Sequence, residues 1–176
     1  MEKHVKHVVQ RLACLLHYNE LPLRHLFEHL DVLSTGPRRF SGPIEPFLHE
    51  CEKIPVAKFE SIPSEFPAVD AGDLSVDQQY LFDICLAGIT GKCSDQLSHR
   101  QPGKLVVSRW LTLVNRVLRL YIATENPSYN LRTIDEFVVK VYGPIWFATK
   151  TKKSCTGDSR HLWLMIHKSR IYRRIC

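Results

Sequence analysis

Apolar residues recur at three- and four-residue steps in several stretches of this chain, and the gaps between them carry most of its proline and glycine. Val5, Val8, Val9, Leu12, Leu15 and Leu16 predict a helix over 3–18. Asn19-Glu20-Leu21-Pro22 is expected to break it, with Pro22 in the first turn of a second short helix through Leu23, Leu26, Phe27 and Leu30. Residues 34–46 hold Gly36, Pro37, Gly42, Pro43 and Pro46 and read as a loop, followed by one or two helical turns from Phe47 to Lys53. Residues 54–73, with Pro55, Pro63, Pro67 and Gly72, read as an extended connection containing at most a short strand at Val56–Phe59. Ser75 and Gln78 form a capping-box pair ahead of the stripe Tyr80, Leu81, Ile84, Cys85 and Ile89, which Gly91 ends. Ser94-Asp95 starts a further turn. Asn126-Pro127 separates two longer helices, the second carrying Leu131, Ile134, Phe137, Val138, Val141 and Tyr142 until Gly143-Pro144 kinks or ends it. Gly157-Asp158-Ser159 precedes a last helix through Leu162, Trp163, Met165 and Ile166. Strand signals are weak throughout. The expected fold is therefore mainly α, an irregular helical domain with long Pro/Gly-rich loops.

The clearest helix runs from Val106 to Ala123. At about 100° per residue, Val107, Trp110, Leu111, Val114, Val117, Leu118 and Tyr121 share an arc roughly 120° wide. Arg109, Thr112, Arg116 and Arg119 fall within about 80° on the opposite side. A helix this apolar belongs at the centre of the packing, with only a narrow polar strip. That strip has two readings. It is a solvated face or a partner for the acidic connection, or it is a row of guanidiniums spaced to meet a phosphate backbone.

Charge sharpens the second reading. The 176 residues carry a formal +6, unevenly spread. Residues 148–176 hold eight Lys and Arg side chains against the single acid Asp158, whereas residues 45–83 hold nine acids against Lys53 and Lys58. The chain thus divides into a mostly helical domain over 1–147, with an irregular acidic connection at 34–73, and a basic, partly helical tail over 148–176. Lys168, Arg170, Arg173 and Arg174 join Arg109, Arg116 and Arg119 as candidate nucleic-acid contacts. Apolar residues make up 44% and charged residues 24%, which excludes global disorder and a coiled-coil rod. No apolar run reaches the roughly 18 residues of a membrane span. The N-terminus lacks a secretory leader pattern, so the expected location is the nucleus or cytoplasm, with six reduced cysteines.

Chemistry-bearing patterns are sparse. Cys14 and His17, with His25 and His29, make a four-donor set of the kind that holds zinc. Leu15 and Leu16 between the first two mark a core-facing helix, so packing is the preferred reading and no metal or cofactor is assigned. Asp135 and Glu136 are adjacent, diverge by about 100° and read as ordinary helix charges near the N-terminal dipole. There is no G-x-S-x-G, no G-x-x-x-x-G-K-[ST] and no G-x-G-x-x-G. No catalytic residue is assigned and the chain reads as a non-enzyme.

Several strings carry a resemblance: Cys14-Leu15-Leu16-His17-Tyr18-Asn19-Glu20-Leu21-Pro22-Leu23-Arg24-His25-Leu26-Phe27, Arg100-Gln101-Pro102-Gly103-Lys104, Ser108-Arg109-Trp110-Leu111-Thr112 and Asn115-Arg116-Val117-Leu118-Arg119-Leu120-Tyr121. Over Cys14 to Trp163 the chain resembles a widespread group of invertebrate proteins of mobile-element origin. More distantly, its C-x-x-H helix followed by an R-W helix is similar to the centre of hAT-type DNA transposases, where an RNase H-like core passes into a helical insertion region. Cys14 and His17 match the first motif, Arg109 and Trp110 the second. That family cuts DNA with three carboxylates around divalent metal ions. The first two would precede Met1, no position here matches the last, and the zinc-finger module is missing. The resemblance therefore implies a catalytically inactive fragment that binds DNA or assembles with itself or related transposase chains. A plain helical protein–protein interaction module and a non-functional truncated remnant are the alternatives.

Overall fold

The computed structural model describes residues 15–30, 42–105, 110–150 and 160–171. Among them the elements are α1 (Leu15–Leu30), α2 (Glu45–Leu48), α3 (Val76–Thr90), α4 (Asp95–His99), α5 (Trp110–Ile122), α6 (Tyr129–Phe137), α7 (Gly143–Lys150) and α8 (Arg160–Ile171). Short 3₁₀ turns occupy Cys51–Lys53 and Ala71–Asp73, and a π turn spans Val138–Tyr142. The described residues contain no strand. The mainly α expectation holds. The predicted helix before residue 15 and the start of the last helix lie outside the described residues.

Local signals set most helix ends. The Ser75 N–H donates to the Gln78 side chain at 3.0 Å, one arm of the expected capping box. Gly91 ends α3 in the left-handed region (φ 68°), donating its N–H to the Ala87 carbonyl. Ser94 and Ser128 accept from the Leu97 and Leu131 N–H groups and cap α4 and α6.

Two prolines act differently from expectation. Pro22 sits inside a continuous α1 rather than between two helices. A mid-helix proline costs about 3 kcal/mol. Leu23, Leu26 and Phe27, all buried on one face, offset it at about 1.5–3 kcal/mol each. At the second site the helix neither ends nor breaks. Pro144 has no N–H to give, and the turn before it widens so that Gly143 donates to the Val138 carbonyl, five residues back. A Cβ on Gly143 would stand 3.0 Å from both that carbonyl oxygen and Phe66 Cε2, so glycine is what lets the turn pack this closely.

α5 is the hub. It packs on α2, α3 and α6, and every residue from Thr112 to Ile122 is buried. The acidic connection closes over it. Ala57 N–H donates to the Ile122 carbonyl, Ile62 N–H to the Gly88 carbonyl, and the Tyr121 hydroxyl to the Glu60 carbonyl. Val56–Phe59 is therefore coil, its pairing capacity spent on a helix end instead of a second strand. Phe66, in the same connection, meets Phe82 of α3 and Phe147 of α7 at ring-centroid distances of 5.6 and 5.5 Å. α7 runs through the domain boundary expected at 147, and α8 packs on α1, α7 and the π turn.

Candidate nucleic-acid interface

Of the seven predicted contacts, the four that are described do not converge: Arg116 and Arg119 lie on α5, Lys168 and Arg170 on α8. Arg109, Arg173 and Arg174 lie outside the described residues. Arg116 and Arg119 are placed where no phosphate reaches them, at 5% and 1% exposure. Both guanidiniums turn into the chain. Arg116 donates from Nε to the Gly103 carbonyl (2.7 Å), and from Nη1 to the Leu48 and His49 carbonyls (2.6 and 3.2 Å) and Glu52 Oε2 (2.9 Å). Arg119 Nη2 donates to the Ile54 carbonyl at 2.7 Å. Of the two readings of the polar strip, its partnership with the acidic connection is the one observed. The expectation that Arg116 and Arg119 form an outward phosphate-reading edge is corrected: a helix that is central to the packing has covering chain on that side too.

Glu52 shows the electrostatic result. Burial pushes its carboxyl up, but a backbone hydrogen bond and the Arg116 guanidinium outweigh burial, and its pKa ends below the ordinary carboxylate value. Cys51, beside the same arginine, goes the other way, pushed up to about 11 by burial. An inert, buried thiol results.

Cation and aromatic surface survives on α8. Trp163 is 66% exposed, and Leu164, His167 and Arg170 are exposed too. Lys168 is half-buried, and Met165 packs inward. At about 100° per residue, Trp163, His167 and Arg170 lie within about 60° of one another. The segment from Arg160 to Ile171 contains no acid. The sequence puts Trp163 in this helix with Leu162, Met165 and Ile166 and assigns it no face. The available signal was the spacing Trp163, His167, Arg170, which puts the indole on the polar side.

Asp135 is not the ordinary helix charge that the sequence suggests. It is fully buried in α6, and neither carboxylate oxygen has a hydrogen-bond partner. Its neighbours in the sequence announce this: at about 100° per residue, position 135 falls between the apolar residues Leu131 and Val139, about 40° from each.

Cys14 lies outside the described residues, and His25 and His29 are exposed on α1. Among the described residues no group of three or more His, Cys, Asp or Glu is arranged to hold a metal ion. A cleft of about 310 Å³ between α3 and α4 is lined by Asp83, Lys92 and Arg100 among others, with Asp83 and Arg100 paired to each other at 2.7 Å. No described helix is long and apolar enough to cross a membrane. No protein-family profile, curated protein or solved structure matches the chain.

Proposed function

We propose that this chain is a non-catalytic, transposase-derived helical domain that binds nucleic acid, and that it does so through α8 rather than α5. The transposase descent rests on the sequence strings around Cys14–Phe27 and Ser108–Tyr121. The observation that carries the binding reading is the exposed face of α8, where Trp163 stands beside His167 and Arg170 with no acid on the helix. An indole offers a stacking surface to an unpaired base, worth about 1–3 kcal/mol. The flanking cations meet the phosphates.

The test is titration with a single-stranded oligonucleotide at several salt concentrations, read by anisotropy. Trp163→Ala should weaken binding by about fivefold or more, as the stacking energy implies. Lys168→Gln with Arg170→Gln should flatten the dependence of log K on log salt by about 1–2. Neither variant should lower thermal stability appreciably. Binding unaffected by both variants, or absent at low salt, rejects the proposal. The exposed pair Trp163 and Leu164 also suits assembly with a second chain. In that case both substitutions to serine would reduce a concentration-dependent mass and leave the oligonucleotide irrelevant.

A further inference from the structure

Asp135 poses a sharper physical problem than the other buried polar groups: Arg100, Asn115 and Arg119 also leave side-chain atoms unpaired but each makes other hydrogen bonds, and the unpaired Tyr80 hydroxyl carries no charge. Arg116 is as deeply placed, yet it meets a carboxylate and three carbonyls. Asp135 is 0% exposed, and neither Oδ1 nor Oδ2 has a hydrogen-bond partner. A carboxylate in that position would keep its charge with neither water nor a donor to hold it, at a cost of several kcal/mol. A neutral acid in the same place loses only ordinary hydrogen bonds to water.

Among the described residues the surroundings offer no cation. From α3, Cys85 faces it, a buried thiol that burial, and then the Asp135 charge, push far up. From α5, Tyr121 faces it, pushed up to about 12, first by burial and next by Asp135. Arg24, His25 and His29 of α1 are exposed. On α6 and the π turn, Arg132 and Lys140 are both engaged with Glu136, and Arg132 also with Glu60. Burial pushes the Asp135 carboxyl well above the ordinary carboxylate range.

We propose that a proton held on Asp135 is an integral part of the native fold, and that its release loosens the packing of α6. The proton acts as a ligand bound by the folded chain and not by the unfolded one. Stability from it is therefore complete below the unfolded carboxyl's range, near pH 4, and is lost as pH rises towards the folded value. Over that window the folding constant falls up to about tenfold per pH unit. The location gives the event a direction. Asp135 also supplies, through its carbonyl, an acceptor for the Val138 N–H at the entrance to the π turn, and that turn carries α7 and contacts α8.

The experiment has two arms on the full chain. In the first, carboxyl-carbon NMR follows the aspartates through a pH titration. The Asp135 resonance, assigned by its loss in Asp135→Asn, should hold its acid position while the exposed aspartates ionise. In the second, urea midpoints at several pH values compare wild type with Asp135→Asn. The difference between the two curves isolates this group from Glu52 and Glu136, whose pH dependence both proteins share. Wild type should lose stability relative to the variant as pH rises above about 4. Should Asp135→Asn not fold, Asp135→Leu, of similar volume and without a polar atom, takes its place in both arms. An Asp135 carboxyl that titrates with the exposed aspartates overturns the proposal, and so does a difference curve flat from acid to neutral pH.

Discussion

Replacing Arg116 by methionine removes a guanidinium that sits at 5% exposure and joins three parts of the chain. Its four shortest contacts, at 2.6, 2.7, 2.9 and 3.2 Å, go to the Leu48 carbonyl, the Gly103 carbonyl, Glu52 Oε2 and the His49 carbonyl. Methionine fills most of the volume and makes none of these bonds. Each buried carbonyl left without a donor costs about 1–3 kcal/mol. Removing one partner of a buried ion pair costs about 3–5 kcal/mol in comparable cases. Glu52 is partly wetted and can recover some hydration, so the lower half of that interval applies and a loss of about 3–4 kcal/mol is expected. Arg116→Lys keeps the charge but cannot reach Gly103, Leu48 and Glu52 together, and should recover only part of the loss. The assay is urea unfolding followed by far-UV circular dichroism on the wild type and the two variants. A methionine variant within about 1 kcal/mol of wild type would refute the reasoning, since that is how an exposed surface pair behaves. So would a lysine variant indistinguishable from wild type.

Two further outcomes follow from the same geometry. Glu52→Gln removes a carboxyl whose pKa is held below the ordinary value. Stability from it is present above the unfolded pKa and lost as pH falls through the folded one, so wild type should lose more stability than the variant on acidification below about pH 4. Urea midpoints across that range check it. Gly143→Ala places a methyl 3.0 Å from Phe66 Cε2 and the Val138 oxygen. The backbone there is already helical (φ −57°), so the cost is crowding alone, about 1–3 kcal/mol in thermal unfolding, and Phe66→Leu should relieve part of it.

The sequence disclosed what is decided locally. Ser75 with Gln78, Gly91, Ser94 and Ser128 act within four residues of themselves, and each does what its chemistry predicts. The amphipathic stripe of α5 likewise announced a central helix. What periodicity could not disclose was the destination of its polar side. Spacing shows that Arg116 and Arg119 share a face. It does not show that carbonyls more than 60 residues earlier lie over that face. Pro22 and Pro144 were misjudged for a related reason. A missing donor has a fixed local cost, while the burial of Leu23 and Phe27, or the widened turn before Pro144, comes from the tertiary arrangement. Asp135 was legible in principle, because the apolar stripe of α6 runs through its position. On α8 the spacing of Trp163, His167 and Arg170 is likewise present in the sequence, and the structure turns Trp163 outward.

The grip of α5 on the acidic connection is largely a grip on peptide oxygens. Leu48, His49, Glu52 and Ile54 are recognised through a group that every amino acid possesses. Exchange of the outward-pointing side chains at His49 or Lys53 leaves those oxygens in place, whereas deletion of one residue between Leu48 and Ile54 shifts the whole row out of register. This segment should thus tolerate wide variation in spelling and almost none in length.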